Sequence, residues 1–165
     1  MSRSTNASVG SLYSSQHEFL PLFKKGSVPH VNNTSVGKRG RRRSNLWTYP
    51  SAASPRSYRQ ESPLDHWPEK PADMLERALI DLTNPGDIVL DPFLGSGAIL
   101  MAAENSARVC RGIELDPLHI DVVIRRYEAA TGKAAVLTGT DETFTTLAAR
   151  RAEGLLILTA EGDLV

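Results

Sequence analysis

One stretch constrains this chain more than any other: DIVLDPFLGSGAILMAAENS, residues 87–106. The apolar run Asp87 to Asp91 predicts a short buried strand, and the apolar stretch from about Ala98 predicts a helix, which Ser96 or Gly97 can cap. Between them lies a tight glycine loop. Strand, glycine loop and helix together make a unit that places a ligand at the carboxyl end of a strand and at a helix N-terminus. Such a unit belongs to an α/β fold with parallel strands.

The flanking sequence extends this pattern. Upstream, Pro71 to Leu82 predicts a helix with Met74, Leu75, Ala78, Leu79 and Leu82 at helical spacing, closed by the turn Asn84-Pro85-Gly86. Downstream, VCRGIELD predicts a second strand that runs into Glu114 and Asp116. Asp116-Pro117 opens a helix whose apolar face is Ile120, Val123, Ile124 and Tyr127, and Gly132 ends it. AAVL after Lys133 predicts a third short strand, residues 143–151 a helix, and 155–158 an apolar segment of unassigned role.

The loop chemistry narrows the ligand. Leu100 occupies the position of the last glycine in G-x-G-x-x-G, which disfavours a dinucleotide, and no G-K-[S/T] follows for a phosphate loop. Asp91 at the start of the loop suits a ligand carrying a positive amino group. Glu114 lies seventeen residues after Gly97, the spacing of a second-strand acid that accepts ribose hydroxyls. S-adenosylmethionine offers an ammonium, a sulfonium and a ribose. The alternative is a tight strand–helix turn with no ligand.

Charge divides the chain. Of its 165 residues, the first sixty carry ten Lys/Arg against the single acid Glu18, and the remainder carry nine against eighteen acids, so the two parts stand near +9 and −9. Such an asymmetry points to a basic surface that meets a polyanion, against the alternative of a solvated tail. The segment 19–23 (Phe19, Leu20, Leu22, Phe23) predicts an edge strand, because Pro21 cannot donate to a ladder, and Lys24-Lys25-Gly26 closes it. Then comes a loop holding Lys38, Arg39, Arg41, Arg42 and Arg43. These side chains suit phosphates and guanine edges. Asn32, Asn33 and Asn45 suit adenine edges, and Trp47, Tyr49 and Tyr58 could stack on a base, although Trp47 better fits an anchor where the loop rejoins the body.

No apolar run approaches the ~20 residues of a membrane span, and the first ten residues lack the apolar core of a secretory signal. The one cysteine, Cys110, can build neither a disulfide framework nor a zinc site. The expected location is the cytoplasm, with no metal. Three parts are expected: 1–60 basic and DNA-facing with one edge strand, 61–154 a cofactor-binding α/β portion, and 155–165 a tail.

Residues 87–132 closely resemble the S-adenosylmethionine-binding block of the β-group bacterial DNA amino-methyltransferases, with its D-P-F-x-G-S-G followed by G-x-E. His66 to Pro71 resembles the family's H-P-x-x-K-P segment, with Trp67 in place of the first proline, and residues 15–33 and 37–50 resemble its target-recognition stretch, so that the resemblance covers roughly 11–152. The resemblance implies an incomplete Rossmann-like methyltransferase fold, the first three strands plus an edge strand. It implies methyl transfer from S-adenosyl-L-methionine to adenine N6 or cytosine N4 in double-stranded DNA, in a restriction-modification setting. It places Asp91, Phe93, Gly95, Ser96 and Gly97 along the methionine end of the cofactor, Glu114 on the ribose, and Leu115 near the adenine. His66, Lys70 and Pro71 would close the site, and Lys38 to Asn45 would face DNA. Ala98 and Ile99 replace the family's Thr-Thr. The catalytic D-P-P-Y is absent from these residues, so no catalytic side chain is assigned here. The expectation is a C-terminal portion completed by an N-terminal segment or a second subunit, the central sheet strands being absent and the first strand left with an open edge. The alternative is an inactive remnant that binds DNA or the cofactor.

Overall fold

A computed structural model describes residues 2–3, 17–34, 44–49 and 72–160. In chain order the elements are β1 (Ser2–Arg3), β2 (Thr48–Tyr49), α1 (Ala72–Leu82), β3 (Ile88–Asp91), α2 (Ala98–Asn105), β4 (Val109–Gly112), α3 (Pro117–Thr131) and α4 (Phe144–Ala160). They fall into two units, residues 1–116 and 117–165.

The first unit is built on the parallel pair β3–β4, with Ile88 opposite Val109, Val89 opposite Cys110, Leu90 opposite Arg111 and Asp91 opposite Gly112. Side chains alternate across a strand, so the two faces differ. Val89 and Cys110 pack with Leu75 and Ile99 against a core of Leu79, Ala102 and Ala103, supplied by α1 and α2. Small residues on α2 let the two helices approach closely. Ile88 and Leu90 point the other way and are 67% and 65% exposed. Among the described residues β3 pairs only with β4. The chain thus carries an incomplete Rossmann-like α/β fold.

Both ends of α2 rest on local chemistry. Gly97 precedes the helix with φ 79, a left-handed conformation that glycine adopts without steric cost, and no side chain caps the helix there. At the other end the Ser106 hydroxyl donates to Ala102 O at 2.6 Å, and Ala107 (φ 59) turns the chain into β4.

The end of α1 has no glycine cap and no basic residue in its last turn. Its open carbonyls are met from elsewhere. The Thr83 N–H and hydroxyl both donate to Leu79 O. Asn33 Nδ2 donates to Ile80 O at 3.0 Å and Thr83 O at 2.9 Å, and the Asn33 N–H donates to Asp81 O at 2.9 Å. Arg108 is buried and donates from Nε to Thr83 Oγ1, from Nη2 to Thr83 O and from Nη1 to Ser106 O.

In the second unit α3 runs from Pro117 to Thr131 and stops at Gly132 (φ 69), as its sequence signals predict. Here two expectations are corrected. The third strand at 134–137 does not form: Val136 makes a single antiparallel bridge with Thr143. Thr138-Gly139-Thr140 turns the chain back on itself, and Leu137 N–H donates to Glu142 O while Phe144 N–H donates to Ala135 O. The helix expected at 143–151 is α4, which continues to Ala160 and takes in 155–158. The Thr143 hydroxyl accepts the Thr146 N–H at its start, and Arg150 makes a two-point ion pair with Glu142.

The edge strand expected at 19–23 is also absent. Residues 18–25 form no ladder, and Phe19 and Phe23 are 84% and 88% exposed. Pro21 removes a donor, and no described strand lies alongside to pair with the rest. The turn at Gly26 does form, with φ 79. Among the described residues the sheet content is therefore the β3–β4 pair and the two-residue parallel pair β1–β2, without the third strand and the edge strand expected at 134–137 and 19–23.

Candidate functional site

The carboxyl ends of β3 and β4 carry a loop laced to the neighbouring strand. Past the last register pair, Ile113 N–H donates to Asp91 O at 2.9 Å and Leu94 N–H donates to Ile113 O at 2.9 Å. The Gly95 N–H then donates to Glu114 Oε2 at 2.7 Å. The other carboxylate oxygen, Oε1, accepts the N–H groups of Leu115 (3.0 Å) and Asp116 (3.1 Å). Glu114 is thus fixed by three backbone donors, and it ties the glycine loop to the segment after β4. A carboxylate held by backbone N–H groups is a strong, oriented acceptor.

Asp91 ends β3 half-buried, and its Oδ1 accepts the Phe93 N–H at 3.0 Å, which turns the chain into the loop. Gly95 (φ 53) and Gly97 (φ 79) both take left-handed backbone there. Leu94 is buried and lies on Gly112, where an added Cβ would stand 2.8 Å from both Leu94 methyls. Phe93 and Leu115 are 87% and 96% exposed. Cys110 of β4 is half-buried. Burial pushes its thiol pKa up, the Asp91 carboxylate adds to the rise, and Arg111 opposes it.

Asp91, Phe93, Gly95, Ser96, Gly97, Glu114 and Leu115 are therefore brought to one end of the β3–β4 pair. His66, Lys70 and Pro71 lie outside the described residues, as do Lys38, Arg39, Arg41, Arg42 and Arg43. Asn45 is described and exposed. Asn33 is not available to a base edge, because its amide is spent on the end of α1. Sequence reading missed that role. The signal was present in α1 itself, a helix ending in Leu82-Thr83-Asn84-Pro85 with no glycine to close it.

A family model described as DNA methylase matches residues 1–125. The chain belongs to the N6/N4 DNA methylase family. Its members are enzymes that methylate adenine N6 or cytosine N4 of DNA with S-adenosylmethionine as donor. The DNA adenine methyltransferase YhdJ of Escherichia coli K12 is 35% identical over 91 residues, which are 55% of this chain and 30% of that protein. The type II methyltransferase M.HpaI of Haemophilus parainfluenzae is 30% identical over 129 residues, 71% of this chain and 40% of that one. Among solved structures, the M1.HpyAVI–SAM complex is 37% identical with a TM-score of 0.35, over 36% of this chain and 29% of that one. The chain spans between 24% and 40% of the length of the curated relatives it matches. Among the described residues no helix is long and apolar enough to cross a membrane.

Proposed function

We propose that this chain supplies the cofactor cradle and the DNA-facing part of a bacterial DNA amino-methyltransferase acting on adenine N6 or cytosine N4. The observation that carries this reading is the glycine loop locked to Glu114 at 2.7 Å, at the carboxyl ends of two parallel strands, in a chain of this family. The donor and acceptor set fits S-adenosylmethionine. Asp91 is an acid for its ammonium, and Glu114 is an oriented acceptor for its ribose hydroxyls. Phe93 and Leu115 are exposed apolar side chains for its purine, in a soluble chain that otherwise has reason to bury them. The bound cofactor supplies a sulfonium methyl group for direct in-line displacement by an exocyclic amino nitrogen.

The chain's own part is positional. Glu114 orients the ligand and holds the loop closed, while Leu94 and Gly112 fix the floor. His66, Lys70 and Pro71 close the site from the chain before α1. The basic stretch Lys38 to Asn45 engages DNA phosphates, in keeping with the +9 charge of the first sixty residues. The tetrapeptide that holds the target amino group comes from a further segment, in a longer protein or on a second subunit. The open β3 edge and the bare Ile88–Leu90 face offer that segment a strand to pair with. The reading includes a cytoplasmic location, a restriction-modification setting, and the division into 1–60, 61–154 and 155–165.

Titration of the full chain with S-adenosylmethionine and, separately, with a duplex oligonucleotide tests the proposal. Both should bind, with DNA binding weakened steeply by salt. Asp91→Ala should abolish cofactor binding and leave DNA affinity unchanged. DNA binding without cofactor binding would instead mark a remnant of the fold. Methyl transfer by the chain alone would refute the need for a further segment.

A further inference from the structure

The last turn of α1 is closed by a residue from far away in the chain. A helix leaves its last four carbonyls without partners of its own, which in α1 are those of Leu79, Ile80, Asp81 and Leu82. Asn33 alone meets two of them. Its N–H donates to Asp81 O at 2.9 Å and its Nδ2 to Ile80 O at 3.0 Å. Nδ2 also donates to Thr83 O at 2.9 Å and approaches Asn84 Oδ1 at 3.3 Å. Asn33 is forty-seven residues from Ile80 in sequence, so the closure is tertiary. Thr83 O is shared with the buried Arg108, whose Nη1 donates to Ser106 O just past the end of α2. The ends of α1 and α2 therefore meet in one hydrogen-bonded knot.

The turn that Asn33 closes is also a turn that packs. Leu79 lies in it, buried against Ala102 and Ala103 of α2. Two alanines offer a shallow surface, so the seating of α2 on α1 leans on Leu79 and on Leu75 one turn before it. With eight residues, α2 is about 12 Å long. At its other end stands Gly97, and Ile99 of its first turn belongs to the same apolar cluster. The glycine loop is thus a direct continuation of the helix that α1 holds.

We infer that Asn33 is a positioning residue for the cofactor site: by closing the last turn of α1 it keeps Leu79 on α2, and α2 keeps the glycine loop in the form that Glu114 locks. The inference rests on the reading of Asp91 to Leu115 as the cofactor cradle. It moves Asn33 from the basic part of the chain, where its residue type suits an adenine edge, to the cofactor-binding part. When the last turn of α1 frays, the fraction of chains with the loop formed falls, and apparent affinity for the cofactor falls by that fraction.

The test uses the full chain and the variants Asn33→Ala and Asn33→Asp. Asn33 is exposed, and its backbone bond to Asp81 O survives both changes. Asn33→Asp keeps the shape but turns a carboxylate toward open carbonyls, so it should be the worse of the two. S-adenosylmethionine is titrated by calorimetry well below the unfolding midpoint of each variant. There a residue that only adds stability leaves affinity unchanged, because every chain is already folded. Affinity should fall about three- to tenfold for Asn33→Ala, a change of the size one hydrogen bond can produce, and further for Asn33→Asp. Amide hydrogen exchange gives the second readout. The N–H groups of Leu94 and Gly95, bonded to Ile113 O and Glu114, should exchange faster in both variants, while those of the β3–β4 ladder keep the wild-type rate. Affinity within twofold of wild type, or acceleration equal across loop and ladder, overturns the positioning role and leaves Asn33 a stabilising cap. Should either variant fail to fold, Asn33→Ser, which keeps one donor, takes its place and is read by the same criteria. A wild-type chain that does not bind S-adenosylmethionine sinks the cofactor reading itself, while the exchange of Leu94 and Gly95 still decides whether Asn33 positions the loop.

Discussion

Replacing Glu114 by alanine removes the acceptor for three backbone donors at once, those of Gly95, Leu115 and Asp116. The bond from Gly95 matters most, because it joins the loop to the segment after β4 across nineteen residues. Hydrogen bonds to a charged acceptor contribute about 1.5–3 kcal/mol each when buried. Glu114 is half-buried, and water can replace part of that contribution, which leaves about 1–2 kcal/mol for the cross-link. If that energy holds the loop in its binding form, cofactor affinity falls by a factor of roughly 5–30 before any direct contact to the ligand is counted. Glu114→Gln separates the two contributions. Its single carbonyl can accept from Gly95, or from Leu115 and Asp116, but its NH₂ cannot accept at all. It should therefore fall between wild type and alanine. Calorimetric titration of the full chain with S-adenosylmethionine, paired with thermal unfolding, reads both effects. An alanine variant that folds and binds within twofold of wild type would refute the reasoning.

Three further outcomes are expected. Arg108→Ala should lower unfolding stability by about 2 kcal/mol in urea titration, since the carbonyls of Thr83 and Ser106 lose their buried donor, and Arg108→Lys should not restore the three-point geometry. Gly112→Ala places a methyl 2.8 Å from both Leu94 methyls, so the Leu94 side chain must turn away from it; a loss of about 1 kcal/mol and weaker cofactor binding should follow. The Cys110 thiol, its pKa raised by burial and Asp91, should alkylate more slowly in the folded chain than in urea at pH 8. Because the folded-state pKa exceeds the unfolded one, its stabilising contribution is complete below the ordinary thiol pKa and is lost as pH rises through the folded value. Cys110→Ser should flatten that alkaline decline in a pH series of unfolding midpoints.

What the sequence revealed and what it hid divide along contact range. The β3–α2–β4 unit spans Ile88 to Gly112, and its signals are local: a turn at Asn84-Pro85-Gly86, a left-handed glycine before α2, an acid at the end of each strand. α3 was legible for the same reason, with Pro117 and Gly132 at its limits. The segment at 19–23 has strand composition, yet a strand also needs a partner, and β propensity reflects packing against neighbours. AAVL failed similarly, because the glycine turn at 138–140 sends it back toward Thr143 and one bridge uses up the pairing. Asn33 was misread because the residue type that suits an adenine edge is also the one that can cap a helix end from a distance. Only the fold shows which carbonyls stand open.

The glycine loop and the basic stretch therefore differ in what can specify them. The loop from Asp91 to Gly97 closes on Glu114 through contacts made by residues within about twenty-five positions of one another, so short-range chemistry is enough to form it. Among the described residues that flank the basic stretch, Asn33 and Trp47 contact α1, and Tyr49 lines the groove beside it. The packing of α1 on α2 is made by Leu75, Leu79, Ala102 and Ala103 and uses none of the basic side chains. A change at Leu75, Leu79 or Ala102 has a wider reach, since these residues set α1 against α2, the helix that begins at the glycine loop. Leu79→Ala should therefore lower unfolding stability by about 2–4 kcal/mol in urea titration and weaken S-adenosylmethionine binding with it.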